Sequence, residues 1–151
     1  MAETQQQRSV LALNQLIAAG KDSELACTSG ATNVHDAQLR DILVSTAESC
    51  RGSVRELQSM VSAMGGDPAE RGSMQGTLFR GWMALRHMLQ PNNDDAILGM
   101  CEHEEEAARR EYQSVMMKPL PPEASAMLQR QYDELMQHHG RIHAMRGMQI
   151  H

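Results

Sequence analysis

Apolar residues recur every three or four positions along four long stretches of the chain, the spacing that places side chains on one face of an α-helix. The pattern predicts long helices over residues 5–34, 37–64, 94–117 and 122–146, and a shorter helix over residues 73–89. No strand is predicted, because runs of β-branched residues are missing. The prolines all fall where the periodicity breaks, as expected of residues that separate helices: Pro68, Pro91, Pro119, Pro121 and Pro122.

Several predicted helix ends carry the residues that helix ends favour. Thr4 followed by Gln7 makes a capping box at the start of the first helix. Asp36 is placed to cap the second helix, and the pair Gly65 and Gly66 stops it. These signals place the first two helices one after the other with a connection of only a few residues.

The connection lengths predict how the helices are arranged. The first two helices and the last two are joined by short turns, so each pair should form an antiparallel hairpin. The shorter helix and its flanking loops can span the ~40 Å of the second helix at ~1.5 Å per residue. We therefore predict one all-α domain over residues 1–151, a ferritin-like four-helix bundle whose two hairpins are joined by a long crossover. The crossover helix, with Trp82, should lie against the bundle.

Acidic residues interrupt the apolar face of several predicted helices. Glu105 shares a helix face with Leu98 and Cys101, and Glu102 lies one turn before it. A carboxylate is costly to bury unless it is paired, protonated or bound to a metal. Counting from the two hairpins, the acids and late histidines fall on about two adjacent layers of the bundle: Glu24, Glu102, Glu105, Glu134, His138 and His139.

Composition narrows the classes of protein. Ala, Gln, Glu, Met, Leu and Arg dominate and are strong helix formers, and thirteen methionines add apolar bulk to a chain with one Trp, two Tyr and one Phe. A net charge of −5 without a basic face argues against a nucleic-acid partner. The N-terminus lacks a signal-peptide pattern and no apolar run is long enough to cross a membrane, so we expect a cytoplasmic protein without a membrane partner. The sequence leaves open a homo-oligomer and identifies no protein partner.

The cysteines do not form a recognisable metal or disulfide motif. Cys27, Cys50 and Cys101 are an odd number at wide spacing. All three lie on the apolar faces of predicted helices, where a free cysteine is ordinarily a small buried apolar residue. We predict free thiols.

Six segments in order resemble a bacterial family of ferritin-like four-helix-bundle proteins catalogued as a domain of unknown function. They read LALNQLIAAGKD, VRELQSMVSAMGGDP, GSMQGTLFRGWMALR, DDAILGMCEHEEEAARREY, LPPEASAMLQRQYDEL and HHGRIHAMR. The resemblance covers nearly the whole chain and implies a ferritin-like fold. It implies no particular activity.

The same resemblance implies that a metal centre would be incomplete. Members of the family tend to have Glu where this chain has Thr28 and Ser49, and some have His at the position of Ser53. A di-iron bundle uses about four carboxylates and two histidines. The positions that match are Glu102, Glu105 and His139.

Two functions are compatible with these observations. The first, which we favour, is a non-enzymatic ferritin-like bundle, structural or interacting with a partner, whose metal centre has decayed. The second is a bundle that binds iron, zinc or manganese and acts as an oxidase or in stress protection. Its candidate ligands are Glu24, Glu102, Glu105, Glu134, His138 and His139. Alternatively, Glu102 and Glu105 are solvated or paired with Arg51 or Arg109, and a histidine here is more often a surface or hydrogen-bonded residue than a ligand.

Overall fold

The computed structural model describes residues 4–72 and 94–149. These residues form four helices and no strand: α1 Gln5–Asn33, α2 Ala37–Ala63, α3 Asp94–Met116 and α4 Pro122–Gln149. The prediction of an all-α fold with four long helices is confirmed. The predicted crossover helix over residues 73–89, including Trp82, lies outside the described residues. Within the described ranges, none of the helices combines the length and apolar character that crossing a membrane requires.

The helix ends show the capping that the sequence predicts. The Thr4 hydroxyl accepts a hydrogen bond from the Gln7 N–H at 3.1 Å, and the Gln7 side chain accepts one from the Thr4 N–H at 2.8 Å. Asp36 accepts from the Leu39 N–H at the start of α2. Beyond α2, Gly65 has a φ of 80°, a conformation that favours glycine and ends the helix.

The four helices form a ring in which α1 contacts α2 and α3, and α4 contacts the same two helices. Neighbours are antiparallel. Along α1, Gly30 lies near Ile97 and Cys101, whereas Ser23 hydrogen-bonds the Glu104 carbonyl one turn further along α3. Because α1 also runs antiparallel to α2, with Gly20 near Val54 and Gly30 near Leu43, α2 and α3 are parallel. This is the predicted topology of two hairpins.

Two apolar clusters fill opposite ends of the bundle. One is centred on Leu39, Leu43 and Leu98, and the other on Leu13, Leu16, Leu57 and Leu128. Between them lies a layer in which all four helices present small or polar side chains: Gly20, Ser23, Cys50, Ser53, Glu105, Gln131 and His138. Burying polar groups in this layer requires internal partners.

Asp94 joins the first hairpin turn to the start of α3. Its carboxylate accepts hydrogen bonds at 3.0 Å from the backbone N–H groups of His35 and Asp36, and lies 3.3 Å from the His35 ring. Burial opposes ionisation of Asp94, but these bonds outweigh it and hold its pKa below the ordinary value. The carboxylate therefore stabilises the turn as an ionised group.

We predict opposite effects for alanine at two helical glycines. A Cβ at Gly30 would come 2.8 Å from the Cys101 sulfur and 3.2 Å from Leu43, whereas a Cβ at Gly52 meets nothing within 4 Å. Gly30→Ala should lower the free energy of unfolding by about 1 kcal/mol, since crowding outweighs the gain in helix propensity. Gly52→Ala should raise it by about 0.5–1 kcal/mol. Urea unfolding measures both, and stabilisation by Gly30→Ala would contradict close packing there.

Candidate functional site

The centre of the polar layer is Glu105, whose side chain is completely buried. Its Oε1 atom accepts hydrogen bonds from two thiols, Cys27 at 3.7 Å and Cys50 at 3.9 Å. The Oε2 atom is buried and has no hydrogen-bond partner among the described residues. Three helices therefore bring one carboxyl group and two thiols together.

The environment favours the neutral form of all three groups. Burial raises the pKa of Glu105 to about 7, against the smaller opposing effect of the two thiol hydrogen bonds. Burial and the nearby Glu105 carboxyl raise the pKa of Cys50 well above its ordinary value. A hydrogen bond with Cys101, followed by burial, raises the pKa of Cys27 in the same direction. Near neutral pH the site therefore holds protonated thiols beside a carboxyl group that is readily protonated.

Cys101 extends the cluster toward α1. Its thiol is fully buried and donates to the Ala26 carbonyl at 3.4 Å. All three cysteines are free, in agreement with the prediction of free thiols. The pKa values of Cys27 and Cys50 are raised, which makes these two thiols poor nucleophiles, so their arrangement around Glu105 does not favour thiolate chemistry.

A small cavity lies beside Glu105. Its volume of about 30 Å³ is enough for one or two water molecules. Its lining includes these polar side chains: Ser23, Thr46, Ser49, Cys50, Ser53, Glu105, Tyr112, Gln131 and His138. Water in this cavity would give the unpartnered Oε2 of Glu105 a donor.

His138 lies at the cavity wall, and its hydrogen bond identifies which ring nitrogen carries the proton. Its Nδ1 is 3.2 Å from the Thr46 hydroxyl, which itself donates to the Ile42 carbonyl at 2.8 Å. A hydroxyl has one hydrogen, so Thr46 accepts from Nδ1–H and the neutral ring keeps its lone pair on Nε2. Burial, together with the charge of Arg141, lowers the pKa of His138. The neutral imidazole is therefore favoured.

A second buried network closes the other side of the cavity. The Tyr112 hydroxyl donates to Gln131 Oε1 at 2.7 Å. The Gln131 amide donates in turn to the Ser53 carbonyl at 3.3 Å and to Glu56 at 3.2 Å. One glutamine thus joins α2, α3 and α4, and each of its polar atoms has a partner.

The six predicted metal ligands do not share one centre. Only Glu105 and His138 line the cavity. Glu24 pairs with Arg51 at 3.0 Å, and Glu134, which is 43% exposed, pairs with Arg130 at 3.4 Å. The remaining two residues contact side chains across the seam between α3 and α4. Glu102 contacts His143 and Arg146, and His139 contacts Glu106.

These positions bear on the di-iron centre of many ferritin-like proteins. Among residues 4–72 and 94–149, no three His, Cys, Asp or Glu side chains are placed to hold a metal ion together. Ser49 and Ser53, where the family resemblance implies Glu and His, line the cavity without supplying a carboxylate or an imidazole, and Thr28 is exposed. The residues present do not fit a di-iron centre.

Sequence reasoning missed several participants in the site. Three of them lie on the inward faces of predicted helices: Cys50, Tyr112 and Gln131. Helical spacing therefore indicated that these side chains are buried, but it did not predict which residues they contact. Arg51 and Arg109 do have carboxylate partners, Glu24 and Glu106, instead of Glu102 and Glu105. Helical spacing identifies a face, whereas the choice between adjacent acids depends on helix rotation.

The ring of antiparallel helices, with α2 parallel to α3 and a polar layer at mid-height, defines this chain as a ferritin-like helical domain. It belongs to the family described as "Domain of unknown function (DUF2383)", whose profile matches residues 8–118.

Comparison with solved structures supports the same fold. The chain is similar to part of a two-domain protein from Anabaena variabilis that contains DJ-1/ThiJ/PfpI-like and ferritin-like domains, with a TM-score of 0.77 and 12% identity. The similarity covers 97% of this chain and 38% of that protein, so the chain spans well under half of its length. A comparison with curated proteins finds no match.

Proposed function

We propose that this protein is a non-enzymatic ferritin-like bundle, acting as a structural or interaction protein, in which a thiol and carboxyl cluster replaces the metal centre. The observation that carries the proposal is the pairing of Glu105 with the thiols of Cys27 and Cys50. A carboxyl group that is readily protonated can be buried without a cation.

The remaining acids of the predicted centre support the same proposal. Glu24 and Glu134 each have an arginine partner, and Glu102 has Arg146. A guanidinium group beside a carboxylate supplies the positive charge that a bound metal ion would otherwise supply. These three acids are thus paired with cationic side chains of the protein itself.

One observation favours the alternative of a metal-binding bundle. The unpartnered Oε2 of Glu105 lies with Cys50 and His138 at the wall of one cavity. Thiol, imidazole and carboxyl groups are ligands for zinc and iron, and binding would require deprotonation of the thiol and some movement of the side chains. Iron, zinc and manganese are the ions to test.

Metal analysis of the protein purified without chelator separates the two functions. We expect wild type and Glu105→Gln to retain the same substoichiometric metal after dialysis, and a chelator to leave both thermal midpoints unchanged. One equivalent of metal in wild type that is lost in Glu105→Gln would contradict the proposal. A wild-type midpoint that falls on chelation, with a variant that does not respond, would establish the metal-binding alternative.

A further inference from the structure

Two histidines and two glutamates face each other across the seam between α3 and α4, outside the buried cluster. Glu102 and Glu106 are four residues apart on α3, and His139 and His143 are four residues apart on α4, so each pair lies on one helix face. The His143 Nδ1 is 3.1 Å from Glu102 Oε1, and the His139 Nε2 is 3.7 Å from Glu106 Oε2. The two rings stack, with centroids 6.4 Å apart and an angle of 18° between their planes.

The hydrogen bonding of His139 is incomplete. Its side chain is only 18% exposed, and its Nδ1 atom is buried with no partner among the described residues. The 3.7 Å between its Nε2 and Glu106 is longer than a hydrogen bond. A mostly buried imidazole without a hydrogen bond carries a desolvation cost, and a metal ion that takes the lone pair of one ring nitrogen would offset part of that cost.

His143 has the arrangement of a metal-binding histidine. Glu102 engages the Nδ1 atom, which fixes the ring and directs the lone pair of the neutral imidazole to Nε2. The side chain is 73% exposed, so an ion can reach it from solvent.

We propose that His139 and His143 form an exchangeable site for a divalent transition-metal ion on the α3 and α4 face, with water completing the coordination sphere. Two imidazoles four residues apart on a helix can reach one ion after small rotations of their rings. His139 is also a candidate ligand of the metal-binding alternative, but the proposed site lies in the seam between α3 and α4 and not in the buried cluster of Glu105, so it goes beyond the function proposed for the interior.

Arginines beside the two glutamates leave the imidazoles as the metal ligands, and the ligand type determines which metals the site prefers. Arg109 bonds to Glu106, and Arg146 lies 3.6 Å from Glu102, so both carboxylates are already neutralised. The imidazoles are therefore the ligands, and the glutamates act behind them. Imidazole favours Zn²⁺, Cu²⁺ and Ni²⁺, whereas Mg²⁺ and Ca²⁺ require oxygen ligands.

Calorimetric titration of the chain without a histidine tag tests the site, using ZnCl₂ and, separately, MgCl₂. Wild type should bind about one Zn²⁺ and show no heat of binding for Mg²⁺. His143→Gln should weaken Zn²⁺ binding by at least about tenfold, because even loss of a supporting hydrogen bond to a ligand costs about 10–100-fold. His143 is exposed, so this variant should fold like wild type.

Two control variants distinguish this site from others on the chain. His103 is an exposed histidine on α3, and His103→Gln should bind Zn²⁺ as wild type does. Cys50→Ser removes a thiol from the buried cluster and should also leave binding unchanged. In nuclear magnetic resonance spectra, Zn²⁺ should shift the ring signals of His139 and His143 more than those of His138.

The opposite results would overturn the proposal. These are the absence of Zn²⁺ binding by wild type, or unchanged binding by His143→Gln. Loss of binding in Cys50→Ser with retention in His143→Gln would instead assign the ion to the buried cluster and contradict the proposed function of the interior.

Discussion

Glu105→Gln should make the protein more stable relative to wild type as the pH rises from 5 to 8. The pKa of Glu105 is about 7 in the folded protein, against an ordinary value of 4.5. Because the folded state binds its proton more tightly, ionisation of this carboxyl group costs no stability below pH 4.5, costs increasingly more between pH 4.5 and 7, and adds nothing further above that range. The difference between the folded and unfolded pKa values corresponds to a loss of about 3 kcal/mol in the free energy of unfolding once the pH exceeds both values.

Glutamine removes this dependence because its amide does not ionise. Its Oε1 atom can still accept from Cys27 and Cys50, whose raised pKa values keep both thiols protonated through this range. The amide N–H groups carry a desolvation cost of about 1–3 kcal/mol, but that cost does not change with pH. The informative quantity is therefore the change with pH in the difference between variant and wild type.

Urea unfolding of both proteins at pH 5, 6, 7 and 8 measures that quantity. The difference in free energy of unfolding should shift in favour of the variant by about 2–3 kcal/mol across the series. Glu48→Gln, at an exposed position on α2, is the matched control and should differ from wild type by no more than about 0.5 kcal/mol at any pH. If the curves for wild type and Glu105→Gln run parallel, Glu105 titrates near its ordinary pKa and the thiol and carboxyl cluster is not as described.

Tyr112→Phe should lower the free energy of unfolding by about 1–3 kcal/mol. The Tyr112 hydroxyl is the donor to Gln131 Oε1, and the Gln131 side chain is 1% exposed. Removing the hydroxyl leaves the buried amide oxygen of Gln131 without its protein donor, and a water in the adjoining cavity could replace that donor only in part.

Tyr132→Phe is the control for this change. The Tyr132 hydroxyl accepts from Gln113 at 3.0 Å in an exposed position, where water can replace the bond. Its loss should change stability by no more than about 0.5 kcal/mol. Equal effects of the two substitutions would show that the Tyr112 bond contributes nothing specific to the polar layer. A double-mutant cycle between Tyr112→Phe and Gln131→Leu should give a coupling energy of at least about 1 kcal/mol.

Much of the fold could be predicted from the sequence, because helix formation depends on local spacing. The three-and-four periodicity identified the four long helices, and Thr4, Asp36 and Gly65 marked their ends. The two short connections were enough to predict the hairpins. Glu105 was recognised as a buried acid for the same reason, since its position in the apolar face is a property of one helix alone.

The candidate site was less predictable because its contacts join different helices. A displacement of one turn moves a side chain about 5.4 Å along the axis, which is more than the length of a hydrogen bond. The hydrogen bond between Cys27 and Glu105 therefore depends on an axial register that the sequence does not give. Rotation matters as well: Glu102 lies on the side of α3 that faces His143, while Glu105 faces the interior.

By itself, the sequence determined the class of fold, the helices and the presence of acid in an apolar face, since each depends on residues close together in the chain. Only the tertiary structure decided which groups those acids contact. Glu105 meets thiols, Glu24 meets Arg51, and the two glutamates of the α3 and α4 seam meet histidines and arginines. These pairings depend on the axial register and rotation of packed helices, which many side chains set together and no single segment encodes.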